Sequence, residues 1–591
     1  MSERSFGRAV LRGASIILVV TVIARLAGFA RYLVFGASVG AGDVGTAYAT
    51  ANLLPNVLFE VVAGGALAAV AVPLIAGLVP EGRRAETADG TAAETADGTA
   101  AESAAGTADE DGRRRADRIV SVLLTWTLLG TTLLAAAVIA LAAPLAALLL
   151  GTADGTAGVH VGTVLLRIFA VQLPLYGIAV VLGAYLQARK RFLWPAAMPL
   201  ISSLVVMLAY RVYAWMVPSV ATASTIGEGA LAWLGWGTTA GVAAMALPVV
   251  IASLRSGLRL RPALRMTGGD GRRALALGGA GLGAVGAQQL VLALIMVLAM
   301  RAGGTGTLPV FQYAQALYLL PYAVLVVPLV TSVFPHLAEM RLVGDHGAFA
   351  RAVSGSARIV MAVAAIGAAA LFAAGPALEQ FFRLIDRAGA AGVGSTAAAL
   401  ALGLPGFAVA THCTRVLSAA LRARDALLVG SIGWVIAAVL LALAVLTSPG
   451  RSAAEASTAF GLSIAVGMAI AALVGLSRIW DILEHAGDLA RVRRTIVLTP
   501  LAVLIGGVPG LLLARRLVTT ESGETVAVLV GIAAGVLGAL LAAGVMLAAD
   551  PSLLHTLQGR SRGRRARTRE SGNDAVDPGP GAPAPPAEEA R

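Results

Sequence analysis

Residues 14–73 read ASIILVVTVIARLAGFARYLVFGASVGAGDVGTAYATANLLPNVLFEVVAGGALAAVAVP. The stretch opens as an apolar run long enough to cross a bilayer, yet it carries Arg25 and Arg31 inside that run. A charge at bilayer depth costs at least ~2.5–3.5 kcal/mol on insertion scales, so each guanidinium needs a wet cavity, a partner or a ligand. A polar hairpin follows, then a second apolar stretch with prolines at Pro55 and Pro73. This pair of helices is expected to form one wall of a hydrated pathway.

Outward from this stretch the same pattern recurs. The chain has 591 residues, 58% hydrophobic and only 13% charged, with apolar runs of 18 or more residues along its length. The sequence predicts an all-α polytopic membrane protein of about fourteen spans, at 13–36, 46–79, 119–150, 161–187, 195–216, 230–254, 274–300, 308–335, 357–382, 396–421, 426–447, 457–477, 495–514 and 525–549. The net charge of +12 does not mark a nucleic-acid surface, because the basic residues sit mostly between the runs. Three lie before span 1, six in 80–118, three in 188–192, six in 255–273, three in 336–358, four in 478–494 and seven in the tail. The intervening segments 37–45, 151–160 and 217–229 have none, and 448–456 has only Arg451. Strict alternation predicts a multi-pass protein of a bacterial plasma membrane with both termini in the cytoplasm. Ala, Gly and Arg richness with a single lysine, Lys190, points to a bacterial source. The N-terminal run is too long for a signal peptide and reads as an uncleaved first span.

Two segments do not have the composition of fold. Residues 85–108 repeat AETADGTA with small changes, and 560–591 begin Arg-rich and end in PGPGAPAPPAEE. Both are expected to be disordered and cytoplasmic, within an insert 80–118 and a tail 556–591. A subtler repeat organises the rest. LLPNVLFEVVAGGALAAVAVP (53–73) is echoed by LLPYAVLVVPLVTSVFP (319–335), and LPLYGIAVVLGAYLQARKR (173–191) by LPGFAVATHCTRVLSAALRARD (404–425). Spans 2 and 4 thereby pair with spans 8 and 10. The expected organisation is two pseudo-symmetric six-helix lobes, 1–254 and 255–480, with spans 13 and 14 in 481–555 beside them. A site at the interface of the lobes is the usual arrangement of secondary transporters.

The candidate substrate-binding residues are Arg25, Arg31, Asn52, Asn56, Glu60, Gln312 and Gln315. Arg25 lies about 18 Å into span 1, near the bilayer centre. It reads as a ligand or gate residue, or as half of a structural ion pair. Arg31 lies nearer the outer end and either faces the same cavity or reaches the headgroups. Their directions differ by about 120° on an ideal helix, so both face one cavity only if it is wide or the helix bends at Gly28. Glu60 is an ion site, a partner for Arg25, or a protonated carboxyl. Gln312 and Gln315 in span 8, like Gln288 and Gln289 in span 7, line a lumen or bond between helices. Candidate hinges are Gly28, Pro55, Gly64, Gly65 and Pro321. His412 and Arg415 in span 10 are further cavity candidates, and Arg167 reads as an interfacial anchor.

No Walker loop, HExxH, Cys/His metal spacing or serine elbow is present, so the sequence offers no catalytic residue, cofactor site or metal site. The single Cys413 excludes an internal disulfide.

ARLAGFAR (24–31), LLPNVLFEVVAGGAL (53–67), LPLYGIAVVLGAYLQARKRFLWPA (173–196) and LLPYAVLVVPLVTSVFPHL (319–337) together resemble the MurJ/MviN family. The layout of residues 1–550 is similar to actinobacterial members. The resemblance implies the inverted-V architecture shared with MATE-type drug antiporters and polysaccharide-lipid exporters. It implies a lipid II flippase rather than an enzyme, moving an undecaprenyl-diphosphate-linked peptidoglycan precursor for cell wall biogenesis. The family's span 1 arginines fall on Arg25 and Arg31. Its cation after the LPN motif falls near Phe59 and Glu60, its span 8 arginine near Ala316, and its span 2 acidic residue near Thr46. Implied partners are lipid II and membrane lipids, with cell-wall synthesis proteins as further candidates. Two other functions are consistent with the residues: an ion-coupled exporter using Glu60, and a non-transporting cell-wall scaffold.

Overall fold

A computed structural model describes residues 3–61, 74, 98–151, 156–218, 221–266, 270–448 and 450–553. The described residues are helical and contain no strand, as backbone groups in hydrocarbon require. In chain order the helices are α1 (Glu3–Ser38), α2 (Asp43–Phe59), α3 (Gly98–Ala140), α4 (Ala142–Leu150), α5 (Thr156–Ala170), α6 (Gln172–Ala188), α7 (Leu193–Met216) and α8 (Glu228–Arg255). They continue as α9 (Asp270–Gly303), α10 (Thr307–Pro321), a π-turn (Tyr322–Val326), α11 (Val327–Val343), α12 (His346–Ala373), α13 (Gly375–Ile385) and α14 (Val393–Ala419). The last are α15 (Ala423–Thr447), α16 (Ala453–Arg478), α17 (Trp480–Glu484), α18 (Leu489–Leu517) and α19 (Glu524–Ala549). Thirteen stretches are long and apolar enough to cross a membrane. The remaining expected span, span 2, runs on from α2 into residues outside the described set.

Packing partners repeat with a period of six spans. In the first lobe α1 packs on α7, α7 on α8, α6 on α8, and α3 on α6. In the second, α9 packs on α15, α15 on α16, α14 on α16, and α12 on α14. The glycines that let helices approach closely sit in such pairs. A Cβ on Gly467 of α16 would lie 2.2 Å from the Gly433 carbonyl oxygen of α15, which leaves no room for any side chain.

Three features depart from the expected elements. Helix α3 begins at Gly98 rather than near 119, so the later part of the insert 80–118 is helical and not disordered. The six alanines and four arginines of 98–118 are good helix formers, and a membrane span anchors one end. Span 8 is longer than expected, with α11 running on to Val343. Helix α13, GPALEQFFRLI, is an additional amphipathic helix between α12 and α14. The tail 556–591 and the insert up to residue 97 lie outside the described residues.

Helices α18 and α19 lie against α12 and α13. At one end Arg358 of α12, 8% exposed, binds Asp488 at 3.1 Å and also pairs with Asp550. Burial raises the Asp550 carboxyl's pKa, but Ser552 and Arg358 hold it below the usual carboxylate range. A carboxyl depressed in the fold contributes fully above its ordinary pKa, and its contribution is lost as pH falls through the depressed value. Removing one partner of a buried pair leaves uncompensated charge, costing about 3–5 kcal/mol. Arg358→Met is therefore expected to lower the thermal midpoint of the purified protein by several degrees. A midpoint equal to wild type would show that α18 and α19 are held by apolar packing alone.

Candidate functional site

The two lobes meet at one end of the bundle, where α1 finishes and α2 begins. Asp386, just after α13, reaches across to this hairpin: its Oδ1 accepts from Ala41 N at 3.0 Å and Ala388 N at 2.8 Å. Its Oδ2 accepts from the Tyr313 hydroxyl at 2.8 Å. Arg387 donates its backbone N–H to Gly36 O at 3.0 Å, its Nε to Ala37 O at 3.1 Å and Nη2 to Ala214 O at 3.3 Å. Gly306 N donates to Thr46 Oγ1 at 2.8 Å. Gly40 has φ +81°, and a Cβ there would sit 3.0 Å from Ala388 N, so the turn that fits under Asp386 needs glycine. Phe35 packs beneath this layer against Tyr48, Tyr210 and Tyr313, with ring centroids 5.2, 5.3 and 6.2 Å away. Polar bonds over an aromatic plug make this end a seal.

On the far side of the plug lies a cavity of about 620 Å³. Helix α1 contributes Ala24, Arg25, Gly28, Arg31 and Tyr32; α2 contributes Tyr48, Asn52, Asn56 and, just beyond its end, Glu60. Tyr176 of α6, Ser202 and Ser203 of α7 and Thr238 of α8 complete the first lobe's wall. The second lobe presents Ala316, Leu319, Leu320 and Ala323, a mostly apolar surface. Arg31 also lines a recess of about 80 Å³ against the plug, with Tyr210 and Gln312. Its guanidinium lies 5.6 Å from the Tyr32 ring centroid. Tyr48 shares its hydroxyl with Tyr210 at 2.8 Å and Thr238 at 3.0 Å, which fixes the aromatic wall. Among the described residues neither Arg25, Arg31 nor Glu60 meets a group of opposite charge.

The structure brings Arg25, Arg31, Asn52, Asn56 and Glu60 to one cavity and puts Gln312 in its recess. Arg25 and Arg31 share it because it is wide; α1 runs unbroken through Gly28. Gln315 is half-buried and does not line the cavity, and Asn56 donates to the Asn52 carbonyl at 2.9 Å. Pro55 sits in α2 ahead of a π-turn at Glu60–Val61, and Pro321 is followed by the π-turn Tyr322–Val326. Proline removes a backbone donor, and both helices answer with the wider register. Gly64 and Gly65 lie outside the described residues. His412 is buried against Ser356, 3.3 Å away, and does not face the cavity. Sequence reading missed the tyrosines. Of nine in the chain, Tyr32, Tyr48, Tyr176 and Tyr210 line the cavity or its recess.

A wide chamber with unpaired guanidiniums, sealed at one end between two lobes, suits an anionic cargo. The comparisons agree with that shape. The chain superimposes on a lipid II flippase MurJ in an inward closed conformation with TM-score 0.60 and 16% identity, covering 90% of this chain and 98% of that one. An inward-facing multidrug resistance MATE family transporter of the MOP superfamily gives TM-score 0.58 at 13% identity, covering 79% and 96%. A MOP superfamily transporter from Pyrococcus furiosus, described as having a binding pocket of reverse polarity, gives 0.52 at 12%, covering 80% and 96%. The model of the lipid II flippase MurJ family matches residues 35–519. The chain belongs to the MurJ lipid II flippase family, whose members are membrane transporters and not enzymes.

Proposed function

We propose that this protein moves lipid II, the undecaprenyl-diphosphate-linked peptidoglycan precursor, from the inner to the outer leaflet by alternating access. The observation that carries the reading is Arg25, a guanidinium halfway along α1 that faces the cavity with no carboxylate beside it among the described residues. A diphosphate gives it the anion it lacks, through charge-assisted bonds that Arg forms in pairs. The prenyl chain stays in lipid. The basic loops fall at the end away from the seal, which the charge bias places in the cytoplasm together with both termini. In that orientation the cavity faces inward and the Asp386 layer closes the outer side. Pro55 and Pro321, each ahead of a π-turn, serve as the hinges of the rocking step, with Gly28 giving α1 room. Cell-wall synthesis proteins would meet the protein at its cytoplasmic insert and tail.

One observation favours a second reading, export of small cations: Glu60 faces the same cavity without a cationic partner among the described residues. Complementation of a flippase-depleted bacterium separates the two. Glu60→Gln is expected to restore growth as wild type does, because a diphosphate has no use for a carboxylate. Loss of drug export with growth intact would favour the cation exporter instead. Growth that fails only when the tail is deleted would favour a scaffold.

A further inference from the structure

The internal repeat gives two polar residues of the first lobe's wall, Asn56 and Tyr176, counterparts in the second. Setting LLPN (53–56) on LLPY (319–322) places Tyr322 at the position of Asn56, and setting LPLY (173–176) on LPGF (404–407) places Phe407 at that of Tyr176. Asn56 and Tyr176 both line the cavity. Their counterparts lie together: the Tyr322 and Phe407 ring centroids are 4.4 Å apart, and the Tyr322 hydroxyl donates to Thr411 Oγ1 at 3.2 Å. Phe407, Thr411 and Arg415 follow at intervals of four on α14, so they form one stripe.

Arg415 ends that stripe. Its guanidinium is exposed, rests 5.8 Å from the Phe334 ring centroid and has no carboxylate partner among the described residues. Four other arginines of this lobe, Arg358, Arg383, Arg422 and Arg478, are held in ion pairs. The Tyr322 hydroxyl lies within electrostatic reach of both Arg25 and Arg415. Counted from the sealed end, Arg31 is about 10 Å deep, Arg25 about 20 Å and Arg415 about 33 Å. Arg415 thus lies farther from the plug than Arg25 and Arg31, beyond the cavity's own lining, and like them meets no carboxylate among the described residues.

We propose that Tyr322, Thr411 and Arg415 form a second anion subsite, supplied by the C-terminal lobe, that takes the phosphate groups of a lipid-linked diphosphate before they reach Arg25. The subsite rests on the flippase reading and adds the loading step to it. The fork of Arg415 engages one phosphate while the Tyr322 hydroxyl, now bonded to Thr411, turns to donate to it. Held between the lobes, the headgroup draws the apolar wall of α10 toward Arg25.

The test is initial-rate translocation of lipid II in proteoliposomes across a range of lipid II contents, for wild type, Arg415→Ala, Arg415→Lys and Arg25→Ala. Arg415→Ala is expected to raise the half-saturating content ~10-fold with the maximal rate kept, the size of one lost charge-assisted contact. Arg415→Lys is expected to recover part of that loss. Inorganic pyrophosphate should compete in wild type and lose most of its effect in Arg415→Ala. A saturation curve for Arg415→Ala that matches wild type overturns the subsite, even if pyrophosphate binding is lost, since the site would then serve a free anion. A lower maximal rate with a reduced melting temperature overturns it too, as a structural role would do that. Absence of lipid II translocation by the wild type would sink the flippase reading itself, a separate outcome, whereas wild-type transport by Arg25→Ala would only take Arg25 out of the path.

Discussion

Arg25→Ala is expected to abolish lipid II translocation, cutting the rate at least ~100-fold while leaving the folded protein intact. The size follows from the chemistry of the contact. A hydrogen bond to a charged group contributes roughly 1.5–3 kcal/mol, and a guanidinium makes two such bonds to a diphosphate. The reference state adds to this, since a dianion drawn to mid-membrane without a counter-charge meets a steep desolvation penalty. Folding is spared because Arg25 is exposed to the cavity and, among the described residues, pairs with no carboxylate that its loss would strand. Arg25→Lys keeps the charge and loses the fork, so it should fall between the two. The measurement is the fraction of lipid II reaching the outer leaflet of proteoliposomes, read beside the thermal midpoint. A variant that melts like wild type and still flips at more than a tenth of its rate would remove Arg25 from the substrate path.

The seal and the peripheral helices are mechanically joined. Helix α13 carries Asp386 and Arg387 at its end, and its Gln380 donates to Thr520 O at 3.1 Å and Ser522 O at 2.9 Å in the α18–α19 loop. Arg358 ties the same two helices to α12 at the opposite end. Helices α18 and α19 are therefore clamped at both ends to the C-terminal lobe. Helix α13 links that pair to the residues that close the cavity.

Much of this was legible in the chain because membrane helices announce themselves by length and loops by charge. The arginines at 25 and 31 stood out against apolar neighbours, and the prolines of spans 2 and 8 marked the repeat. What could not be read was which polar residues cross between elements far apart in sequence. Asp386 is an ordinary loop aspartate until the fold sets it beside Ala41. Arg31 looked able to reach headgroups, yet the fold turns it into the recess under the plug. Two of the tyrosines could have been noticed, since interfacial belts account for tyrosines at span ends, as Tyr48 is, but not for Tyr176 or Tyr210 within spans. Helix α13 was hidden because its eleven residues lie between two long apolar runs and blur into the first.

The other large effect belongs to the seal. Asp386→Ala is expected to shift the protein from the sealed conformation toward one open at that end, by about 10-fold or more in the equilibrium. The carboxyl accepts from Ala41 N, Ala388 N and the Tyr313 hydroxyl, and the first of these donors belongs to the other lobe, so that bond breaks when the lobes part. Deleting it leaves those donors buried without an acceptor, at about 1–3 kcal/mol each. Tyr313 itself is fully buried between Phe382 and Phe35 and has no water to turn to. Burial raises the Asp386 carboxyl above the usual carboxylate range, against the backbone and tyrosine donors that lower it. Asparagine copies the protonated form: its oxygen keeps both backbone donors, and its amide can donate to a tyrosine oxygen that reverses role. Asp386→Asn should therefore retain most of the seal, and the pair of variants separates hydrogen bonding from bulk. Spin labels at Thr225 and Glu521, in a Cys413→Ser background, would report the distance across the sealed end. Asp386→Ala should lengthen it, and a distribution unchanged from wild type would mean that the aromatic plug alone holds the lobes together. Because alternating access requires each end to close in turn, a seal that cannot re-form should also slow flipping, with lipid II binding from the open side weakened and not strengthened.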